Sequence, residues 1–167
     1  GAQAVVEDVV GEMGMTGTGM LEVRSSQPLL LCGRTFTDQG HGTYGQSCEL
    51  RAADYGCGSK GVVWLTGLRQ QEGVARSNLV VANAGLWPVA VAVTLYRSDG
   101  AQVARYTFLV QPGQSLEDLE PFAARAGLPN IGCGYARVQI GNGAGVFVSA
   151  SVIDSVTNDA TTVFPKE

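Results

Sequence analysis

The sequence predicts an all-β fold: an immunoglobulin-like antiparallel β-sandwich with one or two short helices, near residues 4–13 and 115–126. Three observations carry the prediction. Valine-rich tracts alternate with small or polar residues at the period of two that a half-buried strand requires. Glycine, at 23 of 167 residues, has about twice its usual share and falls between those tracts, where turns are expected. Charged residues make up 16% of the chain, well under the ~25% of an average globular protein, so much of each strand is available for burial. The length suits a single domain over 1–167 with one core.

In chain order, Val5, Val6, Val9, Val10 and Met13 recur at helical spacing, which predicts a short helix over 4–13, weakened by Gly11. After a Gly/Thr link, 19–24 and 28–37 read as strands separated by a Ser-Ser-Gln-Pro turn. The polar, Gly-rich tract 38–47 is either a long hairpin loop or an irregular edge strand. Strands are expected over 61–69, with Trp64 in the core, and over 77–83. The tract 88–97 alternates most cleanly, with Val89, Val91, Val93 and Leu95 on one face and Ala90, Ala92, Thr94 and Tyr96 on the other. Asp99-Gly100 follows; glycine accepts the positive φ of a type I′ turn, so 102–110 returns as the partner strand.

Residues 112–127 change character. Ser115 with Asp118 has the form of a capping box, and Leu116, Leu119, Phe122 and Ala123 mark an apolar helix face. Pro121 either kinks this helix or starts its second turn, and Gly127 stops it. Strands over 134–140, 145–154 and 160–164 complete the chain, with turns at Gly-Asn-Gly and at Asn158-Asp159. A total of about eight to ten strands at this spacing suggests a sandwich. Residues 5–37 and 115–153 also share one grammar of helix, link, strand, turn and strand, as an internal repeat would.

The four cysteines are Cys32, Cys48, Cys57 and Cys133. Cys48 and Cys57 bracket a short polar loop, and a disulfide there is geometrically easy, contributing roughly 2–3 kcal/mol by chain entropy. Cys32 and Cys133 either form a second pair or remain buried thiols, and the sequence favours neither. Zinc is disfavoured: there is no C-x2-C pair and His41 is the single histidine.

Several stretches together resemble a module. They are RTFTDQGHGTYGQ, SNLVVANAG, VAVTLYRSDG, PGQSLEDL and VSASVIDSVTNDATTVFP. Their order is similar to that of a β-sandwich module of undefined function found in large secreted or surface bacterial proteins. The resemblance covers roughly residues 33–165, and the segment 47–60 with its two cysteines departs from it. Its motifs are structural turns. It implies fold and an extracellular compartment, and no active site.

Composition narrows the function classes further. The net charge is −4, and Lys60 and Lys166 are the only lysines, so the clustered cations that nucleic acid or an anionic membrane demands are missing. No apolar run reaches the ~20 residues of a membrane span. No basic segment precedes an apolar one as in a signal peptide, so a secreted or cell-surface location requires a leader removed ahead of Gly1.

Candidate chemistry is sparse. A hydrolase would have to use His41, which sits in Gly-His-Gly near Asp38 with no G-x-S-x-G motif. Asp154, Asn158 and Asp159 offer oxygens to calcium but occupy an expected turn. The pairs Glu7-Asp8 and Glu117-Asp118 read as helix caps, and no glycine stretch has the context of a phosphate loop. No catalytic set and no cofactor are therefore expected. Trp87, in the loop Gly-Leu-Trp-Pro, with Tyr44 and Tyr55, forms the candidate ligand-binding set. The resulting expectation is a non-catalytic structural, adhesion or protein-interaction module acting on other extracellular domains or proteins, with carbohydrate binding by the loop aromatics as the alternative.

Overall fold

The computed structural model describes residues 2–38, 40, 42–48, 50–52, 56–57 and 61–166. Ten strands and two short helices follow one another as α1 (Val9–Glu12), β1 (Gly33–Asp38), β2 (Thr43–Cys48), β3 (Val62–Gln71), β4 (Ala75–Asn83), β5 (Val89–Arg97), β6 (Gln102–Val110), β7 (Ser115–Leu119), α2 (Pro121–Ala126), β8 (Asn130–Ile140), β9 (Val146–Asp154) and β10 (Ala160–Val163). The protein is an all-β antiparallel sandwich.

Strands β3 to β10 form one continuous antiparallel ladder, in the order β10-β9-β4-β3-β8-β5-β6, with β7 on the far edge of β4. β3 and β4 share the single pair Gln71↔Ala75, beside a turn with Gly73 at φ 69°. The ladder folds over at that corner. Two four-stranded layers result, β3-β8-β5-β6 and β10-β9-β4-β7, and they face each other. Leu65, Val91, Val93 and Val138 from one layer cluster with Leu79, Val81, Val148 and Ala150 from the other, all at most 2% exposed. The period of two read from the sequence is the period of burial: Val89, Val91, Val93 and Leu95 point inward and Ala90, Ala92 and Tyr96 do not.

α2 closes the open side of the sandwich between β6 and β7. Pro121 is its first residue, as a fixed φ and a missing N–H allow. Gly127 at φ 64° ends it, with the Leu128 N–H reaching back to the Phe122 carbonyl. Phe122 is fully buried and fills the space above Gly134 of β8, where a Cβ would lie 2.6 Å from the ring.

Three expectations are corrected and one open alternative is decided. The proposed helix over 115–126 is half strand: Ser115–Leu119 pairs with β4, because Leu116 and Asp118 alternate inward as a strand does, and only 121–126 is helical. The helix near 4–13 is one turn, Val9–Glu12, capped by Asp8 and with no buried residue. Residues 19–24 and 28–32 form no strand; they lack a neighbour to pair with, so Met20–Val23 and Tyr135–Val138, aligned in the proposed repeat, differ in structure. Of the two readings of 38–47, the edge strand is realised, since β2 pairs with β1 from Thr43 onward.

The hairpin at Asp99-Gly100 forms, but not with a type I′ turn. Only Gly100 has positive φ, at 86°, and the register shifts by one between Leu95 and Tyr96. The Gly100 N–H donates to the Arg97 carbonyl and Arg97 N–H to that of Ala101, which is a type I turn with a glycine bulge.

Candidate functional site

The loop between β4 and β5 holds the most exposed large apolar pair near the sandwich, Leu86 at 84% and Trp87 at 75%. It is anchored by Asn83, whose side chain is fully buried. Asn83 Nδ2 donates to the Trp87 carbonyl at 2.8 Å and to the Val110 carbonyl at 3.0 Å, and Oδ1 accepts from the Gly85 N–H at 2.9 Å. Its backbone joins the 111–114 turn through Gln114 and Gly113. Both N–H donors of the amide are thereby used, and its oxygen accepts one bond. The loop is fixed at its root, and its tip projects two apolar side chains. The neighbouring turns, 111–114 and 141–145, carry no charged residue. These two turns beside the tip are uncharged, and the tip itself is apolar.

A second polar cluster lies between the layers. Asp118, 4% exposed, accepts from the Tyr106 hydroxyl at 2.6 Å. Its other oxygen takes Arg125 Nη2 at 3.0 Å and Nε at 3.2 Å. The guanidinium also lies 5.2 Å from the Tyr106 ring centre and 5.7 Å from that of Phe108. Burial, and then the hydrogen bond and charge of Asp118, push the Tyr106 hydroxyl well above the ordinary tyrosine range. The arrangement pins β6 to β7 across the sandwich edge.

A third cluster was missed in the sequence. Trp64 is not in the core. It sits on the outer parity of β3 and meets Tyr96 and Tyr135 at ring-centre distances of 6.2 and 5.9 Å. The signal was available: Trp64 alternates out of phase with Val63 and Leu65. Tyr96 and Tyr135 stack face to face, 5.0 Å apart and 10° from parallel. The stack occupies one face of each ring.

Of the expected ligand-binding residues, Trp87 is exposed as proposed, Tyr44 lies on β2 at 36% exposure, and Tyr55 lies outside the described residues. Among the described residues no ring contact joins Trp87 to Tyr44. His41 also lies outside the described residues. Glu117 and Asp118 are not helix caps: Glu117 accepts from Asn78 Nδ2 and Asp118 forms the pin. Asp154 Oδ1 accepts from the N–H groups of Val156 and Thr157 and from the Thr157 hydroxyl, which lowers its carboxyl below the usual range. That oxygen is committed to the turn, which Asn158 completes at φ 60°. Among the described residues no group of three His, Cys, Asp or Glu is placed to hold a metal ion, and no helix is long and apolar enough to cross a membrane.

Neither proposed disulfide is formed. Cys48 ends β2 opposite Gly33, whereas the Cys57 N–H is bonded to the Val146 carbonyl of β9 and its side chain packs against the core. The two are thus held by different strands. Cys32 and Cys133 are exposed, not buried.

No protein-family model matches the chain, and no curated protein sequence matches it. Among solved structures, one from Thermotoga maritima is 17% identical with a TM-score of 0.49, covering 65% of this chain and 91% of its own. The Anabaena sensory rhodopsin transducer is 16% identical with a TM-score of 0.45, covering 56% of this chain and 97% of its own. At these values they assign no function to this chain.

Proposed function

We propose that the chain is a non-catalytic interaction module of a secreted or surface protein, in which the pinned sandwich is a rigid scaffold and the Leu86–Trp87 tip is its contact point. The observation that carries this reading is the anchoring of Trp87 by buried Asn83. Binding energy at interfaces concentrates in a few aromatic anchors, and an anchor whose backbone is already held has less of its loop to order on docking. The uncharged turns around the tip suit a partner with an apolar pocket. The extracellular compartment rests on the resemblance described above, and carbohydrate binding by Trp87 is the alternative.

A cell-binding assay separates the two readings. Fluorescently labelled chain should bind saturably to the surface of its source cells, and Trp87→Ala should weaken that binding at least tenfold. Protease treatment of the cells should remove the binding, and periodate, which destroys vicinal diols of glycans, should leave it intact. Loss with periodate but not protease moves the assignment to carbohydrate. Binding that is absent, or indifferent to Trp87→Ala, contradicts both.

A further inference from the structure

We infer that the outer face of the β3-β8-β5-β6 layer binds an acidic polysaccharide that carries a carboxylate on alternate sugars. The charge of this layer is unlike that of the rest of the chain. Its four strands hold Arg69, Arg97, Arg105 and Arg137 and no aspartate or glutamate, in a chain whose net charge is −4. The strands of the opposite layer hold Glu117, Asp118 and Asp154 against Arg76 alone.

One cross-strand row concentrates the charge. Trp64, Arg137, Thr94 and Arg105 stand directly opposite one another on β3, β8, β5 and β6. Lys166 extends the row, bridged to Trp64 on the side of β3 away from β8. Directly opposed residues of antiparallel strands share a face, and for this row it is the outer one. Cations thus fill the first, third and fifth places, and strand spacing sets them about 10 Å apart. Arg105 and Lys166 are exposed, and Arg137 is partly exposed with Nη1 donating to Gln139 Oε1 at 3.1 Å. Among the described residues none of the three has a carboxylate partner. Like charges in a row repel one another, and an anion laid along the row removes that repulsion.

The places between the cations select the occupant. Trp64 lies between Lys166 and Arg137, with the Tyr96–Tyr135 stack beside it. Thr94, 5% exposed, lies between the longer Arg137 and Arg105, so the row dips there. A pyranose ring with its glycosidic oxygen takes up roughly one strand spacing of an extended chain. A polysaccharide crossing the strands therefore sets one ring over each. Acids on alternate rings meet Lys166, Arg137 and Arg105, and the guanidinium forks bind carboxylate through paired N–H donors. The ring between the first two acids packs its C–H face on Trp64, and the next fills the dip over Thr94. A nucleic-acid strand carries an anion on every unit, which cations on alternate strands do not match.

The test titrates isotope-labelled full chain with hyaluronan hexasaccharide, whose three carboxylates lie on alternate sugars, and follows the backbone amide shifts. Saturating shifts are expected around residues 64, 94–96, 105 and 135–137, and none at 84–88. Combining Arg105→Gln with Arg137→Gln should weaken binding about tenfold or more, since one hydrogen bond to a charged group is worth about that factor. Trp64→Ala should weaken it several-fold, and the neutral chitin hexasaccharide should bind far more weakly than hyaluronan. An unchanged amide spectrum away from the row shows that each variant is folded. Absent or non-saturating shifts overturn the inference, as does native-strength binding by the arginine variant or by Trp64→Ala. So does equal binding of the neutral hexasaccharide, or equal or tighter binding of a thymidylate or glutamate oligomer of the same three charges. Trp87→Ala removes the proposed contact at the loop tip and should leave this binding unchanged, so the two readings fail separately.

Discussion

Two stretches of this chain carry runs of apolar side chains and have opposite fates. In β5, Val89, Val91, Val93 and Leu95 are at most 1% exposed. In the N-terminal segment, Leu29, Leu30 and Leu31 are 56%, 102% and 45% exposed, and Met13 and Met15 are both at 60%. What separates them is the possibility of a ladder. β5 has β6 on one side and β8 on the other, each in a register that turns the same four residues inward. Residues 13–32 have three apolar residues in a row at 29–31 and no paired neighbour even where Leu21 and Val23 alternate with Glu22 and Arg24, so burial of one face has nothing to act on. The apolar effect supplies the drive, and strand pairing decides where it is spent.

The comparison can be broken first at the helix that closes the sandwich. Phe122→Ala should cost about 3–5 kcal/mol in urea unfolding, the range for removing a buried aromatic. A loss under about 1 kcal/mol would mean that α2 covers the edge without plugging it. Next, Asn83→Ala should cost about 2–3 kcal/mol, since the Gly85 N–H and the Val110 carbonyl lose their partner. It should also raise hydrogen exchange at residues 84–88, which an unchanged exchange rate would contradict. Asp118→Asn should cost somewhat less, about 1–2 kcal/mol, because Arg125 is 46% exposed and water screens the pair.

A smaller effect is confined to alkaline pH. The native state holds the Tyr106 proton that the unfolded chain releases above about pH 10. The pin's contribution is complete below that pH and falls as pH rises further, because the unfolded state then binds fewer protons. Unfolding midpoints measured from about pH 9 to 11.5 should decline more steeply for the native sequence than for Tyr106→Phe; parallel curves would place the proton elsewhere. The smallest effect belongs to the tip: Trp87→Ala should change stability by less than about 0.5 kcal/mol, which separates its proposed binding role from any packing role.

Much of the sandwich was legible because alternation, turns and partner strands agreed. β3, β4, β5, β6, β8, β9 and β10 all lie close to where alternation and turn residues put them. Asp118 was misread for a physical reason. An acid three residues after a serine, ahead of a proline, satisfies the local rule for a helix cap, and nothing local says that Tyr106 will stand across from it on another layer. Trp64 was misread by its apolar neighbours when its parity already placed it outside. Asn83 drew no attention because its three acceptors and donors come from Gly85, Trp87 and Val110, which converge only once β4, β5 and β6 are assembled. The Cys48–Cys57 pairing was read from loop length alone, whereas Cys48 ends β2 and Cys57 is bridged to β9.

The central claim is that the sandwich stands without the N-terminal segment. Thermal unfolding of the chain lacking residues 1–31, compared with the full chain under reducing conditions, tests it directly. The account predicts midpoints within about 1 °C, since the removed segment contributes no buried side chain and a loss of 1 kcal/mol would shift a chain of this size by about 2–4 °C. A fall of about 5 °C or more would show that the segment packs on the sandwich and that its apolar residues are part of the core.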